Sequence, residues 1–361
     1  MSDHSMANGI AHIHLSALAA NYRVMAAAAA PSRCAAVVKA NAYGLGVVPV
    51  AQRLDQEGCR DFFVADLPEA VELRRACPSI RIFVLDGPRP GDFQTYQQHG
   101  LVPVVNNQAQ LTRWIEHSRT ETVGPVALHV DTGISRLGLS PQTATALAEA
   151  QLPDKLEVCL LMTHLACADE PGHPLNQQQL DRFNRIKALF PGVTTSFGNT
   201  AGIFQGLEGD LARAGIALYG GNPFSDRSLQ LREVVHVEGR VLQDRRVPAD
   251  TPVGYGATFT TSRDSRLLTV GVGYGDGYLR ALGNRGYVCI AGQRAPVVGR
   301  VSMDSIVVDA TDLDPALVDN AQRVSLLGGG VCMEELAELA GTICYELIAR
   351  LGPRIVRHYH D

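Results

Sequence analysis

The chain alternates short, mainly apolar runs with stretches of helical spacing. Apolar runs occupy 35–40 (AAVVKA), 61–66, 82–86, 101–105, 126–131, 159–164, 193–198 and 214–219. Residues 47–57, 67–76, 107–117, 142–150 and 176–190 lie between them, with apolar positions recurring every three or four residues; residues 12–29 share that spacing and lead into Pro31. A strand covered on both faces reads as a continuous apolar run, whereas a helix packed on one side shows a stripe. Eight such runs alternating with helices over ~220 residues predict a parallel (β/α)8 barrel, with an open doubly wound sheet as the alternative topology. From about residue 230 the pattern shifts to short β segments at 231–243, 265–274, 286–291, 296–309 and 323–327, separated by glycines and followed by one helix at 333–341. The expected division is a barrel over 11–228 and a mostly β domain over 229–361, with the change near Gly221-Asn222-Pro223 and Asp226.

The bulk numbers remove some function classes. A chain of 361 residues suits two domains, and 46% hydrophobic and 19% charged residues with a net charge of −5 form an ordinary soluble composition. No basic block interleaved with aromatics points to nucleic acid. The N-terminal MSDHSMANGIAHIHL lacks a basic start followed by an apolar core, and no stretch reaches the roughly 18–20 apolar residues of a membrane span. The eight cysteines are scattered without CxxC or Cys/His spacing, which suits reduced thiols rather than disulfides or a metal site, and a cytoplasmic protein. The glycine-rich GVGYGDG at 271–277 lies in the late β region without a βαβ unit, so it is not a dinucleotide loop.

Polar residues gather where the apolar runs end: Lys39, Asp131, His164, Asn199 and Tyr219. In a barrel that end carries the active site. Val37 and Val38 deliver Lys39 to a turn-prone Ala40-Asn41-Ala42, then Tyr43 and two glycines. A lysine among apolar neighbours is biased toward its neutral amine, able to form an imine or take up a proton; a snorkelling lysine at a strand end is the plainer alternative. Taken singly, Arg213 reads as half of a salt bridge, His164 as a structural histidine, and Tyr255, set between glycines, as a packing or turn residue.

Together the strings are more specific. VVKANAYGLG (37–46) resembles the pyridoxal-phosphate lysine motif of bacterial alanine racemases. HVDTGISRLG (129–138), LMTHLACADE (161–170), FGNTAG (197–202), RAGIALYGG (213–221), VGYGATF (253–259), GVGYGDGYLR (271–280) and GRVSMDS (299–305) continue the resemblance in the family's order. The resemblance implies pyridoxal 5'-phosphate on Lys39, with Lys39 and Tyr255 as catalytic bases for the D- and L-substrate protons. It implies that Arg213 faces the pyridine nitrogen with His164 bonded toward it, and that Asn199 lies beside the cofactor. Tyr43, Thr200, Gly215, Ile216 and Tyr345 would then hold the phosphate. Arg136, Tyr274, Arg280, Met303 and Asp304 would lie on the substrate side. It further implies a head-to-tail homodimer in which the tyrosine base comes from the partner chain.

Two positions depart from the family's pattern. His129 stands where many relatives have a carbamylated lysine steadying the arginine at 136, so a bound anion or a neutral contact must replace it. Ser196 stands where a histidine is common, three residues before Asn199. Thr200 replaces a serine and keeps its hydroxyl. The expected activity is interconversion of L- and D-alanine. A broader or serine-preferring racemase, a barrel-type decarboxylase and a non-catalytic pyridoxal-phosphate-binding barrel are the alternatives. Cys289 and Cys332 lie outside a decarboxylase-like motif, and the second domain with Tyr255 argues against the non-catalytic barrel.

Overall fold

The computed structural model describes residues 6–121, 123–150, 156–207, 209–224 and 229–361. Nine strands come first: β1 (Gly9–His14), β2 (Arg33–Val37), β3 (Asp61–Val64), β4 (Arg81–Val84), β5 (Val102–Val105), β6 (Val126–His129), β7 (Val158–Met162), β8 (Thr195–Ser196) and β9 (Leu211–Ala214). Strands β2 to β9 form one parallel sheet in the order β8-β7-β6-β5-β4-β3-β2-β9. Its ends meet through Asp210 N donating to Thr195 O (2.9 Å) and Arg213 N to Gly198 O (3.0 Å), which leaves the barrel nearly closed. The strands are wholly or largely buried, as a sheet enclosed by helices requires, and Phe63 stacks on Phe83 at 4.5 Å inside it. Helices Leu67–Ala76, Gln108–Thr120 and Pro141–Glu149 start on Asp66, Asn107 and Ser140, whose side chains accept the amides of Glu69, Gln110 and Thr143.

The second sheet takes the rest of the chain: β10 (Val235–Val247), β11 (Pro252–Val253), β12 (Phe259–Thr260), β13 (Ser265–Val270), β14 (Tyr287–Ile290), β15 (Gln293–Pro296), β16 (Ile306–Asp309), β17 (Arg323–Leu327) and β18 (Ile355–His360). Its order is β15-β14-β17-β10-β1-β18, with β13 on β10 and β16 on β13; β11 and β12 form a separate hairpin. β10 runs for 13 residues and carries register shifts against both β17 and β13, so it serves both halves of the sheet. Among the described residues no helix is long and apolar enough to cross a membrane.

The structure corrects the sequence reading in several places. Residues 214–219 are not a strand: β9 ends at Ala214, and Ile216–Tyr219 form a buried 3-10 turn. A short apolar run cannot by itself separate strand from helix, and Gly215 (φ −125°, ψ −105°) breaks the extended path. The helix expected from residue 12 begins at Leu15, because 9–14 pair between β10 and β18. The run 296–309 divides into the end of β15 and β16, and only Thr195–Ser196 of 193–198 are strand. Asp226, at the expected domain boundary, lies outside the described residues.

Candidate active site

A pocket of about 580 Å³ opens at the carboxyl ends of the barrel strands. Ten of the expected residues line it: Lys39, Tyr43, Arg136, His164, Asn199, Thr200, Arg213, Gly215, Ile216 and Tyr345. Tyr345 arrives from the second domain on the helix Cys344–Ala349. That size suits a cofactor with a small substrate.

Lys39 follows β2 through Val38 and opens an unusual turn. Ala40, Asn41, Ala42 and Tyr43 all have φ between 52° and 54°, one turn of left-handed helix. For L-residues this costs roughly 1–2 kcal/mol each, so the surroundings must hold it. Glu69 does so from one side: its carboxylate accepts the amides of Ala40 (2.6 Å) and Ala65 (2.8 Å). Asn41 Oδ1 accepts Val47 N at 2.7 Å. The Tyr43 ring stacks on Tyr219 at 4.7 Å, and Tyr219 Oη donates to Val37 O at 2.9 Å. Burial, followed by the charge of Arg136, lowers the Lys39 pKa below its ordinary value. The amine is thereby biased toward the neutral form that imine chemistry and proton uptake need.

Arg213 is buried on β9 with no carboxylate among its hydrogen-bond partners. Its Nη1 donates to Ser196 Oγ (2.5 Å), and Nη2 to Thr163 O (2.8 Å) and His164 Nδ1 (3.1 Å). Ser196 passes the chain on by donating to Leu211 O at 2.6 Å, so the serine departure leaves Arg213 anchored. Because a guanidinium only donates, His164 Nδ1 is the acceptor and the ring is neutral. Burial first, then Arg213, drives the His164 pKa well below its usual range. Burial lowers Arg213 itself to about 10, which leaves it charged at neutral pH.

His129, at the end of β6, has a settled tautomer. Asn106 Nδ2 donates to Leu85 O (2.7 Å) and Val104 O (3.0 Å), which fixes the amide and turns Oδ1 toward His129 Nδ1 at 2.7 Å. The proton therefore sits on Nδ1, and the buried Nε2 is a lone-pair acceptor with no hydrogen-bond partner among the described residues. Burial, then Arg213, lowers this histidine to about 4. A neutral acceptor, not an anion-binding donor, thus occupies the departure position. The backbones of the same two residues close the loop bearing Arg136: Leu139 N donates to His129 O (2.7 Å) and Gly138 N to Asn106 O (3.2 Å). Asp131, a strand-end candidate, stays out of the pocket, its Oδ1 accepting the amides of Gly133, Ile134 and Ser135.

Tyr43, Thr200 and Tyr345 line the pocket together with the Gly215–Ile216 turn. Thr200 Oγ1 accepts Gly215 N at 2.9 Å, and a Cβ on Gly215 would come within 2.9 Å of Tyr43 Oη. Hydroxyl-bearing side chains packed around a glycine turn suit an anionic group such as a phosphate. Lys39 and Arg213 line the same pocket.

The remaining expected residues lie elsewhere on the chain. Tyr255 sits in a 3-10 turn after Gly254 and is 73% exposed. Tyr274, Met303, Arg280 and Asp304 are also exposed on the second domain. Tyr274 N donates to Ser302 O and Gly275 N to Met303 O, while Asp304 is held by Arg354 at 2.6 Å. None of these five lines the pocket of its own chain. The sequence reading missed Asp86, which lines the pocket, and the turn-holding Glu69. Glu69 had a signal, since Asp66-x-x-Glu69 has the spacing of a capping box.

A lysine of lowered pKa at the end of a barrel strand, a buried arginine and hydroxyl-bearing side chains beside a glycine turn, all on one pocket, suit a barrel-type pyridoxal-phosphate enzyme. Comparison with known proteins narrows the class. Residues 13–223 match the family "Alanine racemase, N-terminal domain" and 234–359 match "Alanine racemase, C-terminal domain". An alanine racemase of Rhodospirillum rubrum is 44% identical, covering 99% of this chain and 98% of that protein. A catabolic alanine racemase of Agrobacterium fabrum is 44% identical over 98% of this chain and 92% of its own. The crystal structure of alanine racemase from Bartonella henselae with covalently bound pyridoxal phosphate superposes with a TM-score of 0.92 at 39% identity, covering 98% of this chain and 100% of that one. The chain belongs to the alanine racemase family.

Proposed function

We propose that this protein interconverts L- and D-alanine, using pyridoxal 5'-phosphate carried on Lys39, with Lys39 and Tyr255 as bases on opposite faces of the substrate Cα. The observation that carries this reading is Arg213, buried, charged and bonded only to neutral acceptors where it would meet the ring nitrogen. When bound, the cofactor supplies an electron sink that acidifies the substrate's Cα–H. An arginine keeps its own proton, so the ring nitrogen stays unprotonated and the sink is moderate, which favours returning a proton to Cα over transamination.

The chain's own groups do the remaining work. Lys39, with its lowered pKa, takes or returns the proton on one face. Tyr255 serves the other, since a single base tends to return the proton to the face it left. Each positioned base is worth roughly 10²- to 10⁴-fold in rate. Tyr43, Thr200, Gly215, Ile216 and Tyr345 hold the phosphate, and Asn199 and His164 flank the ring. Arg136, on the loop closed by Asn106 and His129, orients the substrate carboxylate region. Because Tyr255, Tyr274, Arg280, Met303 and Asp304 stand exposed outside their own chain's pocket, each site takes them from a second copy in a cytoplasmic homodimer.

The test is to incubate the purified, cofactor-loaded protein with single L-amino acids and resolve the products by chiral chromatography. D-alanine is expected as the dominant product. Preferred inversion of serine, lysine or arginine would overturn the substrate, and no inversion at all would overturn the reaction.

A further inference from the structure

The last strand, β18, reaches from the second domain to the turn that carries the lysine. It runs parallel to β1 in the register Gly9↔Ile355 through His14↔His360. Successive side chains therefore face opposite ways. His358 and His360 join His12 on one face, where His12 Nδ1 and His360 Nε2 lie 3.0 Å apart. Arg357 and Tyr359 point the other way, toward the segment that follows Tyr43.

Their contacts there are specific. Arg357 donates twice to Gly44 O, from Nε at 3.2 Å and Nη2 at 2.9 Å. Its other bonds go to Leu351 O (2.7 Å), Gly352 O (2.8 Å) and Ile355 O (2.7 Å), so every recorded partner is a backbone carbonyl. Tyr359 Oη donates to Leu45 O at 3.0 Å. Gly44 and Leu45 directly follow the left-handed residues 40–43. The fit leaves no slack: a Cβ on Gly44 would stand 2.3 Å from Ile348 O, and one on Gly46 would stand 2.0 Å from Tyr359 Oη.

A left-handed turn of four non-glycine residues persists only where its surroundings over-determine it. Glu69 and Asn41 hold its start and its exit from within the barrel. Among the described residues, the side chains that hydrogen-bond the Gly44 and Leu45 carbonyls at its end come from β18. We infer that Arg357 and Tyr359 are positioning residues for Lys39: the C-terminal strand clamps the turn in its left-handed form and so sets the direction of the lysine amine. The functional meaning rests on the reading of Lys39 as the reactive lysine; the clamp itself does not.

The experiment is hydrogen–deuterium exchange by mass spectrometry on the cofactor-loaded enzyme, comparing the parent with Tyr359→Phe and Arg357→Met. Peptides covering 40–47 are expected to exchange about 3-fold faster in Tyr359→Phe, which loses one neutral bond, and about 10-fold faster in Arg357→Met, which loses the charge-assisted pair to Gly44 O. Peptides over β3 to β6 should keep the parent rate. In both variants kcat should fall with KM nearly constant, and Arg357→Lys should restore part of the protection. Parent-like exchange over 40–47 in Tyr359→Phe and Arg357→Met overturns the inference. If Arg357→Met loosens β1 and β10 as well, Tyr359→Phe, which removes a single hydroxyl, decides alone. Borohydride trapping separates this outcome from failure of the Lys39 reading. The chain has three lysines, at 39, 155 and 187. Label on either of the other two would remove the functional meaning while leaving the exchange result standing.

Discussion

At the scale of single residues, the site works by denying charge to groups that ordinarily carry it. Lys39 is pushed toward its free amine, and His164 and His129 are held neutral by burial beside arginines. Lys39→Ala should abolish both the visible absorbance of the lysine-bound cofactor and racemisation. Tyr255→Phe should keep the absorbance and lose activity by at least about 10²-fold. A Tyr255→Phe enzyme that racemises at the parent rate would remove the second base. His129 carries a pH signature. With a folded pKa of about 4 against 6.5 in the unfolded chain, it is neutral in both states above pH 6.5 and contributes no slope there. As pH falls from 6.5 to about 4 the unfolded state takes up a proton that the folded state refuses, and stability drops by about 3 kcal/mol. Urea unfolding between pH 7 and pH 4.5 should therefore show a shallower acid decline in His129→Gln than in the parent. Equal slopes would contradict the buried neutral histidine.

At the scale of elements, the lysine turn is where local preference and tertiary structure disagree most. Nothing in Ala40-Asn41-Ala42-Tyr43 except Asn41 favours the left-handed region, and no glycine marks it until Gly44. The conformation is imposed by Glu69 from the next βα unit and by β18 from the far end of the chain. Sequence reading places the barrel residues well for a physical reason: they sit where apolar strands end, and that boundary is a local pattern. It fails where pairing is long-range. HIH in β1 and RHYH in β18 become strands only by pairing with each other and with β10, and the IALY run turns as a 3-10 helix because Gly215 redirects it. A substitution tests the turn directly. Gly44→Ala places a methyl 2.3 Å from Ile348 O at φ 83°, and should destabilise the enzyme by at least about 1 kcal/mol. Thermal unfolding checks this, and a midpoint unchanged from the parent would show that the turn has room to relax.

At the scale of the whole molecule, one chain keeps the two bases of the proposed mechanism apart. The barrel presents Lys39 in a deep pocket, and the second domain presents Tyr255 on its surface, 73% exposed. A base left in open solvent would lack the positioning that the proposed role demands, and an enclosing second copy would supply it. The proposed pairing would be head-to-tail in its use of surfaces, each barrel mouth covered by the other chain's β domain. On the proposed reading, the cofactor pocket is a property of the chain and the complete catalytic constellation a property of the pair. The most direct measurement is complementation between differently tagged Lys39→Ala and Tyr255→Phe chains, co-expressed and isolated as mixed dimers and homodimers alike. Each variant alone should be inactive. Random pairing should restore about a quarter of the parent's alanine racemisation per chain, because half of the dimers then hold one intact site of two. A mixture no more active than either variant by itself would contradict a site built from both chains.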